Sequence, residues 1–173
     1  MIHSRKISNK AYLMNEQPQL NEHNKQEFPP AHTAEHILNQ TMVRMFGCER
    51  SRHTHIERKK SKLDYPLPTC PTAEQVAEIE RRVNEVIAQH LPVTMEYMPQ
   101  EEAARRYDLG KLPEDASPTL RIVRVGDYDA CPCIGTHVAN TAEIGRFRIS
   151  STRYADGMFR IVFRLDLPEQ GEA

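Results

Sequence analysis

Two pairs of side chains in this sequence have the types and spacing of metal ligands. His32 and His36 lie four residues apart on a predicted helix, which puts both imidazoles on one face about one turn apart. Cys133 and His137 repeat that spacing on a loop predicted between two strands. Either pair alone is weak evidence, but three nitrogens and one sulfur together are a donor set suited to zinc. The sequence therefore predicts one Zn²⁺ ion held by these four residues.

The predicted ion has two possible uses. A zinc ion in a hydrolase lowers the pKa of bound water, polarises a carbonyl or holds the substrate. Four protein ligands would fill a tetrahedral site, however, and closed zinc sites are usually structural. The sequence leaves open whether one of the four residues stays away from the ion or whether the ion expands its coordination.

Residues beside the four ligands are candidates for catalysis. Glu35 lies near the edge of the helix face that carries the histidines, and it is a candidate general base. The Thr136 hydroxyl and the Gly135 backbone N–H are candidates for contacts with a substrate carbonyl. The plain alternatives are a solvated carboxylate at Glu35 and a purely loop-shaping role for the other two. Cys131 is a spare thiol, and Cys133 is favoured as the ligand.

The elements that must position these residues predict an α+β domain, a mostly antiparallel sheet with helices packed on one face. Helices are predicted over 32–46 with a stop at Gly47, from a capping box at 72–75 to about residue 90, and in a short segment closed by Gly110. Strands are predicted within 53–67, 93–98 and 119–125 and in a C-terminal hairpin that turns at 155–157.

The chain has 173 residues, of which 39% are hydrophobic, and this length and composition fit one globular domain. Residues 1–28 are predicted to be a polar, flexible N-terminal extension, and residues 29–173 a single domain. No apolar run is long enough to span a bilayer, and the N-terminus lacks the apolar core of a signal peptide. These features predict a cytoplasmic protein whose cysteines are thiols or metal ligands.

The formal net charge of −1 means that any binding to nucleic acid must come from a local patch. Two patches of basic residues are candidates for contacts with phosphates. The first contains Arg58, Lys59, Lys60 and Lys62. The second lies on the C-terminal hairpin and contains Arg146 and Arg148, with further arginines at 153, 160 and 164. The plain alternative is that the arginines form an ordinary solvent-exposed strand face.

The segments HTAEHIL and CIGTHVANTAEIGRFRISS resemble the editing domain of alanyl-tRNA synthetases and its free-standing relatives, the AlaX proteins. That family carries His-x-x-x-His and Cys-x-x-x-His motifs, the second followed by Thr-Gly-Glu-Ile-Gly. Thr136 favours the alanyl branch, because the threonyl editing domains tend to have proline there. Ile134 and Ala142 stand where the family usually has glycine, and the segment 52–65 matches poorly. The resemblance runs from about residue 30 to the end.

The resemblance implies a zinc-dependent hydrolase that acts on a tRNA partner and deacylates mischarged tRNA. Seryl- or glycyl-tRNA for alanine is the implied substrate. Two other interpretations stay open. A zinc-stabilised module could bind tRNA or a protein without catalysis. His-x-x-Glu-His also occurs in inverzincin proteases and in LuxS lyases, although a LuxS-like enzyme would leave His137 and the Thr-Ala-Glu-Ile-Gly segment unexplained.

Overall fold

The computed structural model describes residues 28–107, 109 and 118–169. Within these residues the chain forms α1 (Pro29–Phe46), β1 (His53–His55), β2 (Ser61–Pro66), α2 (Ala73–Ala88), β3 (Val93–Pro99), α3 (Gln100–Arg106), β4 (Thr119–Val125), β5 (Asp129–Pro132), a 3₁₀ turn (Thr141–Glu143), β6 (Arg146–Ala155) and β7 (Met158–Asp166). The predicted N-terminal extension lies outside the described residues except for Phe28. Gly110 lies outside them too, and α3 ends before it, at Arg106.

The strands form two antiparallel sheets. The first has four strands in the order β1-β2-β7-β6, and the second has three in the order β3-β4-β5. The predicted α+β class with antiparallel pairing is confirmed, with the strands divided between two sheets. No helix within the described ranges is long and apolar enough to cross a membrane.

Helix α1 begins three residues before the predicted start at residue 32, because proline suits the first helical turn, where a missing N–H breaks no intrahelical bond. It ends where predicted. Gly47 has φ +64°, a conformation that glycine adopts without steric cost, and its N–H donates to the Val43 carbonyl at 2.9 Å. Most of the helix is buried, so its two histidines face the interior rather than solvent.

The main hydrophobic core lies between the four-stranded sheet and helices α1 and α2. Side chains alternate along β2 and β7, so that one face of each strand is buried. The largest fully buried side chains are Tyr65 of β2, Phe147 of β6, and Phe159 and Phe163 of β7. A smaller core lies between α3 and the three-stranded sheet and contains Met98, Ala103, Leu120 and Ile122.

Two local predictions are confirmed in detail. Helix α2 begins with a capping box, in which Thr72 Oγ1 accepts the Gln75 N–H at 3.1 Å and Gln75 Oε1 accepts the Thr72 N–H at 2.9 Å. The C-terminal hairpin turns at Asp156 and Gly157, whose φ values are +53° and +74°. Positive φ at both central residues is the pattern of the two-residue turn that matches strand twist.

The Thr-Ala-Glu-Ile-Gly segment is hydrogen-bonded to α2 and to the residues that directly follow this helix. Thr141 Oγ1 donates to the Ile87 carbonyl at 3.0 Å and accepts the Leu91 N–H at 2.9 Å. The Glu143 carboxylate accepts the backbone N–H groups of residues 139 and 140, each at 3.0 Å. These bonds place the segment in the framework of the fold, and they hold the end of the loop that carries Cys133 and His137.

Candidate metal centre

The structure brings the four predicted ligands together. One ligand atom from each of His32, His36, Cys133 and His137 can be chosen so that all four atoms lie within 4.8 Å of one another. Helix α1 supplies the first two residues, and the loop between β5 and the 3₁₀ turn supplies the other two. Both helix histidines are buried, and Cys133 and His137 are partly buried. Four side chains of this chemistry at this separation could hold one metal ion.

Hydrogen bonds on the far side of two histidines direct their other nitrogens into the cluster. His32 Nδ1 donates to the Thr136 carbonyl at 3.0 Å, and His32 Nε2 lies 3.3 Å from Cys133 Sγ. His137 Nδ1 lies 2.9 Å from Thr33 Oγ1. Among the described residues, His137 Nε2 is buried with no hydrogen-bond partner. A buried nitrogen without a partner is unfavourable, and a metal ion would satisfy it, so the donor set fits a metal.

A network of charged groups surrounds the third histidine. His36 Nδ1 lies 3.6 Å from Asp129 Oδ2. The same carboxylate accepts two bonds from Arg50, Nη1 to Oδ1 at 2.6 Å and Nη2 to Oδ2 at 3.2 Å, and one from Gln40 Nε2 at 3.2 Å. Burial alone would raise the pKa of Asp129, but its contacts with His36 and the Arg50 guanidinium outweigh burial and hold the pKa below its usual range.

Arg121 on β4 holds the ligand loop through its backbone. Its Nε donates to the Cys133 carbonyl at 2.7 Å, and its Nη2 donates to the Gly135 carbonyl. The Cys133 N–H in turn donates to the Arg121 carbonyl at 3.0 Å. Two side-chain bonds and one backbone bond therefore connect the three-stranded sheet to the loop that carries the candidate sulfur ligand.

Burial also controls the protonation of the cluster. It raises the pKa of the Cys133 thiol to about 12, against a hydrogen bond from the Gly135 backbone that lowers it. Burial lowers the pKa of His137, and the charges of His36 and His32 lower it further. The histidine is therefore neutral, as a metal ligand must be, whereas a thiolate needs a nearby positive charge, which a metal ion would supply.

A cleft of about 280 Å³ opens beside the cluster. His32, His36 and Cys133 line it, and His137 is not among its lining residues. Glu35 also lines it, with a side chain 14% exposed and Oε2 3.8 Å from His32 Nε2. The other lining residues are Asn39, Glu49, Arg50, Ser51, Arg52, Leu109, Cys131 and Pro132. The cluster thus borders an open space instead of being sealed in the core.

The three predicted catalytic residues occupy different surroundings. Glu35 lies at the cleft, where a general base would have to be. Gly135 is buried, and its backbone interacts with Cys133 and Arg121. Thr136 is exposed, and its carbonyl oxygen accepts a hydrogen bond from His32. The catalytic roles of all three stay predictions.

Ile134 and Ala142, which stand where the family that the sequence resembles usually has glycine, fit their positions. Ile134 is 37% exposed, so its side chain needs no space in the core. Ala142 lies in the 3₁₀ turn, is exposed, and donates its N–H to Asn140 Oδ1 at 2.9 Å. Among the non-glycine residues that the structure describes, positive φ occurs at His90 and Asp156 only. Neither replacement therefore strains the backbone.

The basic residues predicted to contact tRNA lie on two separate parts of the surface. Lys59 and Lys60 are exposed in the loop between β1 and β2, and the Arg58 guanidinium lies 4.4 Å from the centre of the Phe28 ring. Lys62 follows on β2 and is partly exposed. Arg146 and Arg148 are exposed on β6, the edge strand, and Arg148 Nε pairs with Asp166 Oδ2 at 2.8 Å.

Sequence analysis alone missed Thr33, Arg50, Arg121 and Asp129. One signal was available for Asp129, since residues 129, 131 and 133 alternate and alternate residues share a face of an extended segment. No comparable signal marks Arg50 and Arg121, because their contacts join segments that are far apart in the chain.

Comparisons with known proteins identify relatives of this chain. The family described as the threonyl and alanyl tRNA synthetase second additional domain matches residues 120–162, which include Cys133 and His137.

Several alanine–tRNA ligases are similar over most of this chain. The ligase of Pyrobaculum aerophilum is 34% identical over 150 residues, covering 79% of this chain and 16% of the ligase. The Methanococcus maripaludis ligase is 32% identical over 83% of this chain and 17% of its own length, and that of Fervidobacterium nodosum is 30% identical over 93% and 19%. The chain thus spans less than a fifth of each of these relatives. It is an editing-domain-like relative of the alanyl-tRNA synthetases, as its paired motifs indicate.

Proposed function

We propose that this protein binds one Zn²⁺ ion through His32, His36, Cys133 and His137 and hydrolyses the ester of mischarged tRNA, seryl- or glycyl-tRNA for alanine. The observation that carries the proposal is the open cleft beside the ligand cluster, which a purely structural zinc site would not need. The relation to alanine–tRNA ligases supports an aminoacyl-tRNA as the occupant of that cleft.

The four ligands would hold the ion between α1 and the loop that follows β5. Bound there, zinc would supply Lewis-acid polarisation or activation of water. Three of the four candidate ligands line the cleft and His137 is not among its lining residues, so a substrate in the cleft would lie beside those three. This arrangement favours a catalytic role over a closed structural one.

Glu35 is the carboxylate best placed to move a proton in this cleft. As a general base it would take a proton from the attacking water as the water oxygen bonds to the ester carbonyl carbon. The bond between that carbon and the ribose oxygen then breaks, and Glu35 returns the proton to the ribose oxygen. The products are the amino acid and tRNA with a free terminal hydroxyl. General base catalysis of this kind contributes roughly 10²- to 10⁴-fold.

The loop between β1 and β2 is the basic surface that we assign to tRNA contact next to the cleft. Arg58 of this loop stacks on Phe28, and the Phe28 carbonyl accepts the backbone N–H of His32 at 3.0 Å. The loop therefore lies close to the start of α1, which carries the histidines. Arg146 and Arg148 would contact a more distant part of the tRNA. Such a substrate implies a cytoplasmic protein, since aminoacyl-tRNAs are used there.

A deacylation panel tests the proposal. Zinc-loaded protein is incubated with seryl-, glycyl-, alanyl- and threonyl-tRNA, and the remaining ester is measured over time. We expect one zinc per chain and faster loss of the seryl or glycyl ester of the alanine tRNA than of the cognate alanyl ester. Cys133→Ala should lose both zinc and activity. Glu35→Gln should lose activity by about 10²-fold or more and keep zinc. Glu96→Gln, a surface change, is the matched control.

Two results would assign the protein to another class. Normal zinc binding with no ester hydrolysis above the zinc-free protein would identify a non-catalytic tRNA- or protein-binding module. Turnover of S-ribosylhomocysteine without turnover of aminoacyl-tRNA would identify a LuxS-like lyase.

A further inference from the structure

A fully buried carboxylate lies directly behind one of the candidate zinc ligands. The Asp129 side chain has no exposed surface, and His36, 3.6 Å away, is 4% exposed. Asp129 accepts two hydrogen bonds from Arg50 and one from Gln40, so its charge is neutralised and its orientation is defined from two directions. The four groups come from α1, from the segment after it and from the first residue of β5.

The partner group near His36 Nδ1 differs in charge from the groups that contact Nδ1 of the other two histidines. His32 Nδ1 contacts a backbone carbonyl and His137 Nδ1 contacts a threonine hydroxyl, both neutral groups. His36 Nδ1 faces a carboxylate. At 3.6 Å the carboxylate is beyond direct hydrogen-bond distance, but its negative charge favours the proton on Nδ1, which leaves the Nε2 lone pair for a cation.

Stability alone does not account for this pair of charges. A buried ion pair is expensive to desolvate, and apolar residues of similar size are often as stable or more so. Arg50 and Gln40 both hold one buried carboxylate beside a histidine of the candidate metal cluster, and this arrangement is explained by what it does for that histidine.

We propose that Asp129, held by Arg50 and Gln40, is a positioning residue that fixes the tautomer and ring orientation of His36 for metal binding. This inference rests on the metal site of the proposed function, but not on the hydrolytic reaction. Arg50 acts on His36 indirectly, by orienting Asp129. Loss of such an outer contact to a ligand typically weakens metal binding by roughly 10- to 100-fold.

Two variants separate positioning from folding. Asp129→Asn leaves the Arg50 charge buried without its counter-ion, so this variant could fail to fold for that reason alone. The double variant Asp129→Asn/Arg50→Gln removes both charges together, keeps the size of the residue at 129 and leaves a shorter polar side chain at 50. Asp64→Asn is the matched control, because it breaks a similar carboxylate–arginine pair, with Arg160, on the sheet away from the cluster.

The experiment measures zinc affinity by competition with a chelator, the visible spectrum of the Co²⁺-substituted protein, and thermal unfolding of the zinc-free protein. We expect the double variant to unfold near the wild-type temperature, to bind zinc roughly 10- to 100-fold more weakly and to show a shifted Co²⁺ spectrum. The Asp64→Asn control should match the wild type in affinity and spectrum.

Wild-type zinc affinity together with an unchanged Co²⁺ spectrum in the folded double variant would overturn the proposal, since the network would then serve the fold only. That result would leave the proposed hydrolase activity untouched. Conversely, a wild-type protein that binds zinc but hydrolyses no ester would contradict the proposed function. The comparison of zinc affinities would still decide the role of Asp129.

Discussion

At the scale of single residues, Arg121 supports the loop that carries Cys133, a role that its position in the sequence does not indicate. It lies on β4, yet its guanidinium donates to the carbonyls of Cys133 and Gly135 in the ligand loop. Gly135 is buried, so its carbonyl has little access to water as an alternative partner. Leaving a buried polar group without a partner costs about 1–3 kcal/mol.

We therefore expect Arg121→Leu to lower the free energy of unfolding by about 1–3 kcal/mol and to weaken zinc binding, because the loop loses its support. Urea unfolding of the zinc-free protein and chelator competition measure the two effects. Arg124→Leu, on the same strand, is the control: it breaks a surface pair with Glu96, which contributes only about 0–1 kcal/mol, and a hydrogen bond to the Tyr107 hydroxyl. Equal losses in the two variants would refute the role given to Arg121.

At the scale of elements, two glycines of the β6–β7 hairpin have positive φ for different reasons. Gly145 precedes β6 with φ +81°, and a Cβ there would lie 2.0 Å from the Asp166 carbonyl oxygen. Gly157 has φ +74° in the turn, and a Cβ there would meet nothing within 4 Å. Only Gly145 combines an unfavourable backbone conformation for other residues with a steric clash.

Alanine substitutions should separate these two effects. Gly157→Ala should cost about 1–2 kcal/mol, the strain of a left-handed conformation. Gly145→Ala should cost more than about 4 kcal/mol, because the strands must also move apart. Urea unfolding of both variants gives the comparison. If Gly145→Ala is no more destabilising than Gly157→Ala, the close approach of the β7 backbone does not limit this position.

The ion pair between β2 and β7 makes sheet stability depend on pH. Hydrogen bonds from Arg160 outweigh partial burial and hold the pKa of Asp64 below its usual 3.8. A lowered carboxyl pKa stabilises the fold fully above the usual pKa, and this stability is lost as the pH falls through the lowered value. The wild type should therefore exceed Asp64→Asn in urea midpoint at neutral pH.

That difference should shrink below about pH 4 and vanish once the pH lies below the lowered pKa of Asp64. Urea midpoints of the two proteins across this range test the expectation. A difference that stays constant down to the acid limit would show that Asp64 contributes through packing rather than charge.

At the scale of the whole molecule, the two basic surfaces lie at different places relative to the candidate metal centre. The β1–β2 loop contacts the start of α1 through Arg58 and Phe28. Strand β6 forms the other edge of the four-stranded sheet, with β2 and β7 between it and β1. Neighbouring strands are about 4.8 Å apart, so the two edges are separated by roughly 14 Å. A tRNA that inserts its end into the cleft should depend more on the loop.

We expect Lys59→Ala/Lys60→Ala to weaken tRNA binding more than Arg146→Ala/Arg148→Ala does. Each lost phosphate contact should reduce the slope of log K against log salt concentration by roughly 0.7–0.9. Fluorescence anisotropy with labelled tRNA at several salt concentrations measures both quantities. A larger loss from the β6 pair would place the tRNA across the sheet edge instead.

Much of the local structure follows from residue types and spacing alone. The capping box at Thr72, the stop at Gly47 and the turn at Asp156 and Gly157 depend on neighbouring residues, whose contacts are set by backbone geometry. The four ligand candidates were also identified from the sequence, because the two pairs together form a donor set suited to zinc although either pair alone is weak evidence. The bounds were less predictable: α1 starts earlier than predicted, and the strands divide into two sheets.

The sequence by itself determined the class of the fold, the helices and strands, and the chemistry of the ligand set. Only the tertiary structure decided that both ligand pairs meet beside an open cleft, that Arg121 supports the loop, and that Arg50 and Asp129 lie behind His36. The physical reason is the separation along the chain of the residues that make contact. Local contacts depend on periodicity within one segment, whereas Arg50 and Asp129 are 79 residues apart and meet only because α1 packs beside β5.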